Sequence, residues 1–386
     1  MTPDPQVVQL AIRLSRRGGY VYLNNPKCAC WAIKTTLWQG DRSRYLPPLN
    51  RPQEVHGRRQ WDLDFEGAAE DRWFRFTATR NPFARILSAY LDKIERPGVV
   101  RDKFCLRYGL DRSVSIRFTD FLTVIQDSPA EDDDPHWRPQ AVNTMHGAFP
   151  VDMIARLEEP ETLDRAMQRA VSRPLEATRP HSTNANAAVA EYYGTRETEL
   201  LLNRYAIDFE AFGYGPDPID LAPVGPAEST RSADPDAVAL IDALGAADPQ
   251  TRIARLDAIS SNASNAARLL AFAAEIANDM EDASQAVDLA KRALALDDRS
   301  AGAGWQLARA ALALGDEDAS LDASLRAVEQ RPDLRQAWMN IAKLRLRRGQ
   351  HDLARQAAGN AALLSAKRDD NAATRLLQRI PDTTSA

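Results

Sequence analysis

The sequence predicts an α/β domain followed by an all-α domain built from repeated helical hairpins. Two strand–loop–helix turns, around residues 27 and 80, predict the first. A constant period of 34 residues in an Ala-rich second half predicts the other. A composition change separates them. Residues up to about 215 carry five of the seven tryptophans and all three cysteines. The Pro-, Gly- and Asp-rich stretch GYGPDPIDLAPVGPAESTRSADPDA (213–237) then reads as a linker. The expected division is therefore 1–215, a linker at 216–237, and a helical domain at 238–386.

The first turn is YVYLNNPKCACWAIKTTLW (20–38). Residues 20–23 are a β-rich run, Asn25-Pro26 breaks it, and 31–38 have helical character. Lys27 thus falls in a loop that opens a helix, where backbone N–H groups and the helix N-terminus favour an anion. The spacing G-x-x-x-x-G-K-[ST] of a nucleoside-triphosphate loop is absent from the chain.

The second turn is FRFTATRNPFARILSAYLDK (74–93). Phe74, Phe76 and Ala78 alternate as in a strand with one buried face, Arg80 closes the strand, and Pro82 suits a first helical position. Phe83, Ile86, Leu87 and Tyr90 then form an apolar stripe, with Ser88 off its centre. An arginine at a strand end and a helix serine can together hold a phosphate. Arg85 either joins that site or pairs with an acidic neighbour.

A third element, DPHWRPQ (134–140), follows the acidic run EDDD (131–134), which reads as a solvated loop. His136, between prolines rather than inside a helix, is the candidate base for an acceptor hydroxyl, or else an ordering residue; His181 in PHSTNA is the second candidate.

These motifs resemble those of sulfotransferases that use 3′-phosphoadenosine-5′-phosphosulfate (PAPS), especially the Golgi carbohydrate sulfotransferases. The likeness covers about 18–215. In the first loop Pro26, Lys27, Ala29 and Cys30 match a Pro-Lys-x-Ala-Cys-Thr pattern, with Trp31 where a hydroxyl residue is usual and Thr35 or Thr36 as a substitute one turn on. Arg80, Asn81, Pro82, Phe83, Arg85, Ser88 and Tyr90 fit the second pattern, and His136 to Gln140 a His-Trp-x-Pro-Gln element near the acceptor. Asp208, Phe212, Gly213 and Tyr214 fit the closing Asp-x-x-x-Phe-Gly-Tyr.

The resemblance implies a three-layer parallel-sheet domain related to nucleotide kinases. It also implies a 5′-phosphosulfate loop of Pro26, Lys27, Cys28, Ala29, Cys30 and Trp31, and a 3′-phosphate site of Arg80 and Ser88. The implied reaction is in-line transfer to a carbohydrate or glycolipid hydroxyl, with Lys27 stabilising the leaving phosphate and no metal required.

In the second half, Ala274, Ala308 and Ala342 fall in register, as do Ala286, Ser320 and Ala354, and Ala293, Ala327 and Ala361. Gly315 and Gly349 mark turns, Pro332 ends a unit, and Leu307, Ile341 and Trp338 fill gaps between the small residues. The pattern resembles the tetratricopeptide repeat, with units at about 267–300, 301–334 and 335–368 and a last helix near 371–380. Such an array presents a concave surface to a protein partner, or packs on the first domain; the sequence supports both.

A net charge of -5 argues against a nucleic-acid binder. No run approaches the roughly 20 apolar residues of a membrane span, and the N-terminus lacks a signal-peptide layout. Cys28, Cys30 and Cys105 make neither a disulfide framework nor a paired metal motif. A reduced, cytoplasmic, bacterial-type enzyme is expected. The alternatives are a kinase of similar fold, and a repeat scaffold whose first domain has lost activity.

Overall fold

The computed structural model describes residues 2–45, 61, 64–176, 183–227, 229, 234–365 and 371–381. Its backbone divides into two units, Met1–Glu95 with Ile116–Ala247, and Arg96–Ser115 with Asp248–Ala386.

The first unit opens with helix α1 (Pro5–Ala11), started by Asp4, whose carboxylate accepts from the N–H groups of Gln6 and Val7. Four strands follow: β1 (Ile12–Ser15), β2 (Tyr20–Leu23), β3 (Phe74–Thr79) and β4 (Met153–Arg156), in spatial order β1-β2-β3-β4. β2 pairs with β3 and β3 with β4 in parallel, with Tyr20 opposite Phe74 and Phe76 opposite Met153. The sheet is mixed rather than all parallel, because β1 runs antiparallel to β2 (Ile12 opposite Leu23, Ser15 opposite Tyr20). Four residues separate β1 from β2, with Gly19 at φ 73, and so short a connection can join only antiparallel neighbours.

Tyr20, Val21, Tyr22 and Leu23 are all fully buried, so both faces of the sheet are covered. On one face Tyr20, Tyr22, Phe74, Phe76 and Ala78 meet Ile33 and Leu37 of helix α2 (Cys30–Tyr45). The same cluster takes Leu163, Ala166, Met167 and Ala170 from a helix at Pro160–Val171.

Helix α3 (Pro82–Lys93) starts as expected: Pro82 lies in its first turn and Asn81 caps it, accepting from Phe83 N at 3.0 Å. The unit's other helices are α5 (Phe118–Val124), α6 (Gln140–Asn143), α7 (Pro160–Val171), α8 (Ala185–Tyr192), α9 (Thr195–Arg204), α10 (Ala206–Phe212) and α11 (Pro235–Gly245); α4 (Val99–Tyr108) groups with the second unit. The segment after α10 is hydrogen-bonded to the first unit: Val224 N donates to Gly213 O, Asn81 Nδ2 to Leu221 O, and Arg156 Nη1 to Gly225 O. Helix α11 spans residue 237, and it groups with the first unit.

The second unit carries α12 (Pro249–Ser260) and then the hairpins α13 (Ala266–Asp279) with α14 (Ala283–Leu296), α15 (Ala301–Ala313) with α16 (Glu317–Gln330), and α17 (Arg335–Arg347) with α18 (His351–Leu363), followed by α19 (Asn371–Arg379). The nine small residues aligned by the 34-residue period, from Ala274 to Ala361, are at most 1% exposed. Small buried side chains at these positions let neighbouring helices pack closely. The turns inside the hairpins recur at the same period in the left-handed region: Glu281 (φ 63), Gly315 (φ 82) and Gly349 (φ 69). No helix among the described residues is long and apolar enough to cross a membrane.

Candidate active site

Because β2 and β3 are parallel neighbours, the loops at their C-terminal ends lie side by side. The first runs through Pro26 to Ala29 into α2, and Lys27 (φ 70) and Ala29 (φ 55) both occupy the left-handed region. For non-glycine residues this costs roughly 1 kcal/mol each, a strain associated with backbone N–H groups turned towards an anion.

Lys27 Nζ donates to Asp92 Oδ2 at 2.8 Å, in a pair whose side chains are 10% and 20% exposed. Burial lowers the Lys27 ammonium below its ordinary range, an effect Asp92 offsets only in part. Burial alone would raise Asp92, but the hydrogen bond and charge of Lys27, with help from Lys93, bring it down to about 2. Asp92 stands four residues after Ser88 and therefore on the same face of α3.

Cys28 is fully buried, and burial pushes its thiol up to about 12. It stays protonated and donates to Gln140 Oε1 at 3.1 Å. Cys30 and Trp31 begin α2 and are half-buried. Thr36, one of the two threonines (Thr35 or Thr36) offered as a stand-in for the missing hydroxyl, is committed elsewhere: its Oγ1 donates to Ala32 O and accepts from Glu176 N.

At the end of β3, Arg80 is 9% exposed. Its Nη1 donates to Lys27 O at 3.4 Å, Nη2 donates to Asn186 Oδ1, and Nε is buried without a hydrogen-bond partner. Burial lowers its affinity for its proton. Ser88 is 3% exposed and shares a 2.9 Å hydrogen bond with the Thr183 hydroxyl. Arg85 is completely buried and does not take an acidic partner. Its Nε donates to Pro26 O and its Nη2 to Pro135 O, both at 3.1 Å, and Nη1 has no partner. Among the described residues neither Arg80 nor Arg85 has a carboxylate at ion-pair distance. Glu158 acts on Arg80, and Arg85 on Asp208, only at longer range, so the Arg80 guanidinium at the loop favours an anion.

His136 sits in a turn whose Asp134 accepts from the His136 amide at 3.0 Å and lies 2.6 Å from Nδ1. Burial raises Asp134, but the His136 contacts outweigh it and keep the carboxyl below its ordinary value. Asp134 thus fixes the orientation of the imidazole through Nδ1. The acidic run is therefore not wholly a solvated loop. Asp133 is 1% exposed and meets Arg204 at 2.6 Å, while Asp134 orients the histidine. His181, the second candidate, lies outside the described residues.

Gln140, fully buried, ties the loops together. Its Oε1 accepts from Arg80 N (3.0 Å), Asn25 Nδ2 (3.1 Å) and Cys28, and its Nε2 donates to Arg80 O at 2.8 Å. Asp208 in turn caps the four-residue helix α6, accepting from Gln140 N and Ala141 N at 2.8 Å each. Burial pushes its carboxyl up to about 6. Tyr214 donates to Glu158 Oε2 at 2.9 Å, and Glu158 also accepts from Asn81 N.

Sequence reasoning missed Asp92, Thr183, Asn186 and the bridging role of Gln140. Only Asp92 carried a local signal, its helical spacing from Ser88. Thr183 and Asn186 reach the site through long-range packing of α8 on α3, which leaves no local pattern.

The model of the sulfotransferase family matches residues 11–215. No curated protein matches the chain. Among solved structures, a crystal structure of the MamA protein aligns at 22% identity over 34% of this chain and 70% of that one, with a TM-score of 0.30. A second MamA crystal structure aligns at 17% identity over 43% and 86%, TM-score 0.30. The Cut9–Hcn1 hetero-tetramer of the APC/C aligns at 13% identity over 74% and 49%, TM-score 0.34. Scores this low assign neither fold nor function.

Proposed function

This chain belongs to the sulfotransferase family, and from that premise we propose that it moves a sulfuryl group from PAPS to a hydroxyl of a carbohydrate or glycolipid acceptor. One observation carries the reading. Two adjacent strand ends bring together the Lys27 loop and the buried Arg80, which has no carboxylate at ion-pair distance among the described residues; Arg80 Nη1 lies 3.4 Å from Lys27 O. A donor with anionic groups at both its 5′ and 3′ ends suits two loops with cationic side chains at adjacent strand ends.

PAPS supplies an activated sulfur, bonded through oxygen to the 5′ phosphate. The loop from Pro26 to Trp31 cradles the 5′ end with backbone N–H groups and the N-terminus of α2. Lys27 turns from Asp92 to the bridging oxygen and stabilises the charge that grows there as the bond to sulfur breaks. Arg80 and Ser88 hold the 3′ phosphate, with Ser88 exchanging Thr183 for it. His136, oriented by Asp134, accepts the proton of the attacking hydroxyl at Nε2. Positioning and charge do most of the work.

The repeats are proposed to take a protein partner, and the cytoplasm is the compartment in which three free thiols would persist. Replacing Lys27 with Ala lowers PAPS turnover by about 10²–10³-fold, the scale of losing one such charge stabiliser, with the circular dichroism spectrum unchanged. Unchanged turnover would remove Lys27 from the reaction.

A further inference from the structure

Arg85 presents a problem of cost. A guanidinium with no exposed surface and no carboxylate at ion-pair distance among the described residues loses several kcal/mol of hydration, and an aliphatic side chain would fill the space more cheaply. What an aliphatic residue could not do is bridge two carbonyls. Arg85 Nε reaches Pro26 O and Nη2 reaches Pro135 O, both at 3.1 Å. The first carbonyl belongs to the peptide that enters Lys27, the second to the peptide that enters His136. Each of these carbonyls belongs to the peptide plane shared with the next residue, so a bond that holds it also orients that residue's N–H.

A second strut joins the same segments. Asn143, 3% exposed, donates from Nδ2 to Pro135 O at 2.9 Å and to Asn25 Oδ1 at 3.3 Å. Asn25 is itself fixed by its own Nδ2, which donates to Ala78 O at 3.0 Å. The 25–27 turn and the 134–136 turn are thus fastened twice, once by a planar cation and once by an amide, through the same carbonyl of Pro135. The hydrogen bonds of both struts go to other groups than Lys27 Nζ and the His136 ring.

We propose that Arg85 and Asn143 are positioning residues that hold the His136 turn in register with the Lys27 loop, so that base and leaving-group stabiliser stand at fixed separation. The inference rests on the sulfotransferase reading above. In-line transfer needs the two groups on opposite sides of sulfur, and a displacement of about 1 Å costs on the order of 10²-fold. The rigid fork of arginine suits this task where a lysine, with a single point of attachment, does not.

The test uses PAPS with water as the acceptor. A water oxygen bonds to sulfur, the bond between sulfur and the 5′-phosphate oxygen breaks, one water proton passes to His136, and the hydrogen sulfate formed gives its remaining proton to solvent. Sulfate and 3′,5′-adenosine bisphosphate are the products. Turnover and bisphosphate affinity are measured for the full chain and for Arg85→Lys, Asn143→Ala, His136→Ala and the double variant His136→Ala/Asn143→Ala. Arg85→Lys and Asn143→Ala should each slow turnover by about tenfold or more while bisphosphate affinity stays within about threefold. In the His136→Ala background, adding Asn143→Ala should cost less than about twofold, because the strut acts through His136.

Affinity falling in parallel with turnover, or the full Asn143→Ala cost persisting without His136, would overturn the proposal. If Arg85→Lys melts early, the Asn143 arm alone decides. A full chain that binds no bisphosphate would instead overturn the functional reading beneath it.

Discussion

Asp208 shows how one buried carboxyl supports a site it does not enter. It receives two amide hydrogen bonds at the start of α6 and so fixes Gln140, whose side chain holds the backbone of Arg80 on both its N–H and its C=O. Burial sets its carboxyl at about 6, against an ordinary 3.8. The folded protein therefore binds a proton that the unfolded chain releases between about pH 4 and pH 6, and stability falls as pH rises through that window. Comparing chemical unfolding of the native chain with Asp208→Asn isolates the effect. The native chain's advantage should shrink by up to about 3 kcal/mol from pH 4 to pH 6; a difference that is flat or grows across the window would contradict the assignment. The closing motif read from the sequence thus has a physical basis. Asp208 caps α6, Gly213 ends α10 at φ 68, and Tyr214 bonds Glu158 behind the Arg80 loop.

Among the elements, the three repeat hairpins test how far a period carries information. Asp282 and Asp316, 34 residues apart, cap α14 and α16 by accepting from Gln285 N and Ala319 N. The next equivalent position is Gln350, which makes no side-chain cap bond to α18. Gln350→Asp should restore the cap and stabilise the array by about 1 kcal/mol, read as a rise in the thermal midpoint; a fall would show that the glutamine is needed in its present form. The repeats were legible because each small residue meets a helix at the same 34-residue interval, so packing repeats as the sequence does. The strand–loop–helix turns were legible too, since Pro82 and the alternation of Phe74, Phe76 and Ala78 are local signals. The antiparallel setting of β1 escaped the reading although its signal is local: the four residues from Arg16 to Gly19 are too few for any other connection to β2. The Lys27–Asp92 pair and the contacts of Thr183 and Asn186 bridge 65 to 106 residues, distances at which periodicity says nothing.

At the scale of the whole molecule, the first unit brings the Lys27 loop, paired with Asp92, beside the Arg80 loop at the C-terminal ends of two central strands, while the second is a stack of hairpins with its own packing. Membership of the sulfotransferase family covers the first and leaves the second without an assigned role. The central claim is that the paired loops recognise a nucleotide carrying phosphates at both the 3′ and 5′ positions. Calorimetric titration with 3′,5′-adenosine bisphosphate, against 5′-AMP and ATP, tests it most directly. Binding of the bisphosphate alone with a dissociation constant on the order of micromolar, about 8 kcal/mol, and lost in Arg80→Ala, is the predicted result. No binding, or equal binding of all three nucleotides, would contradict it.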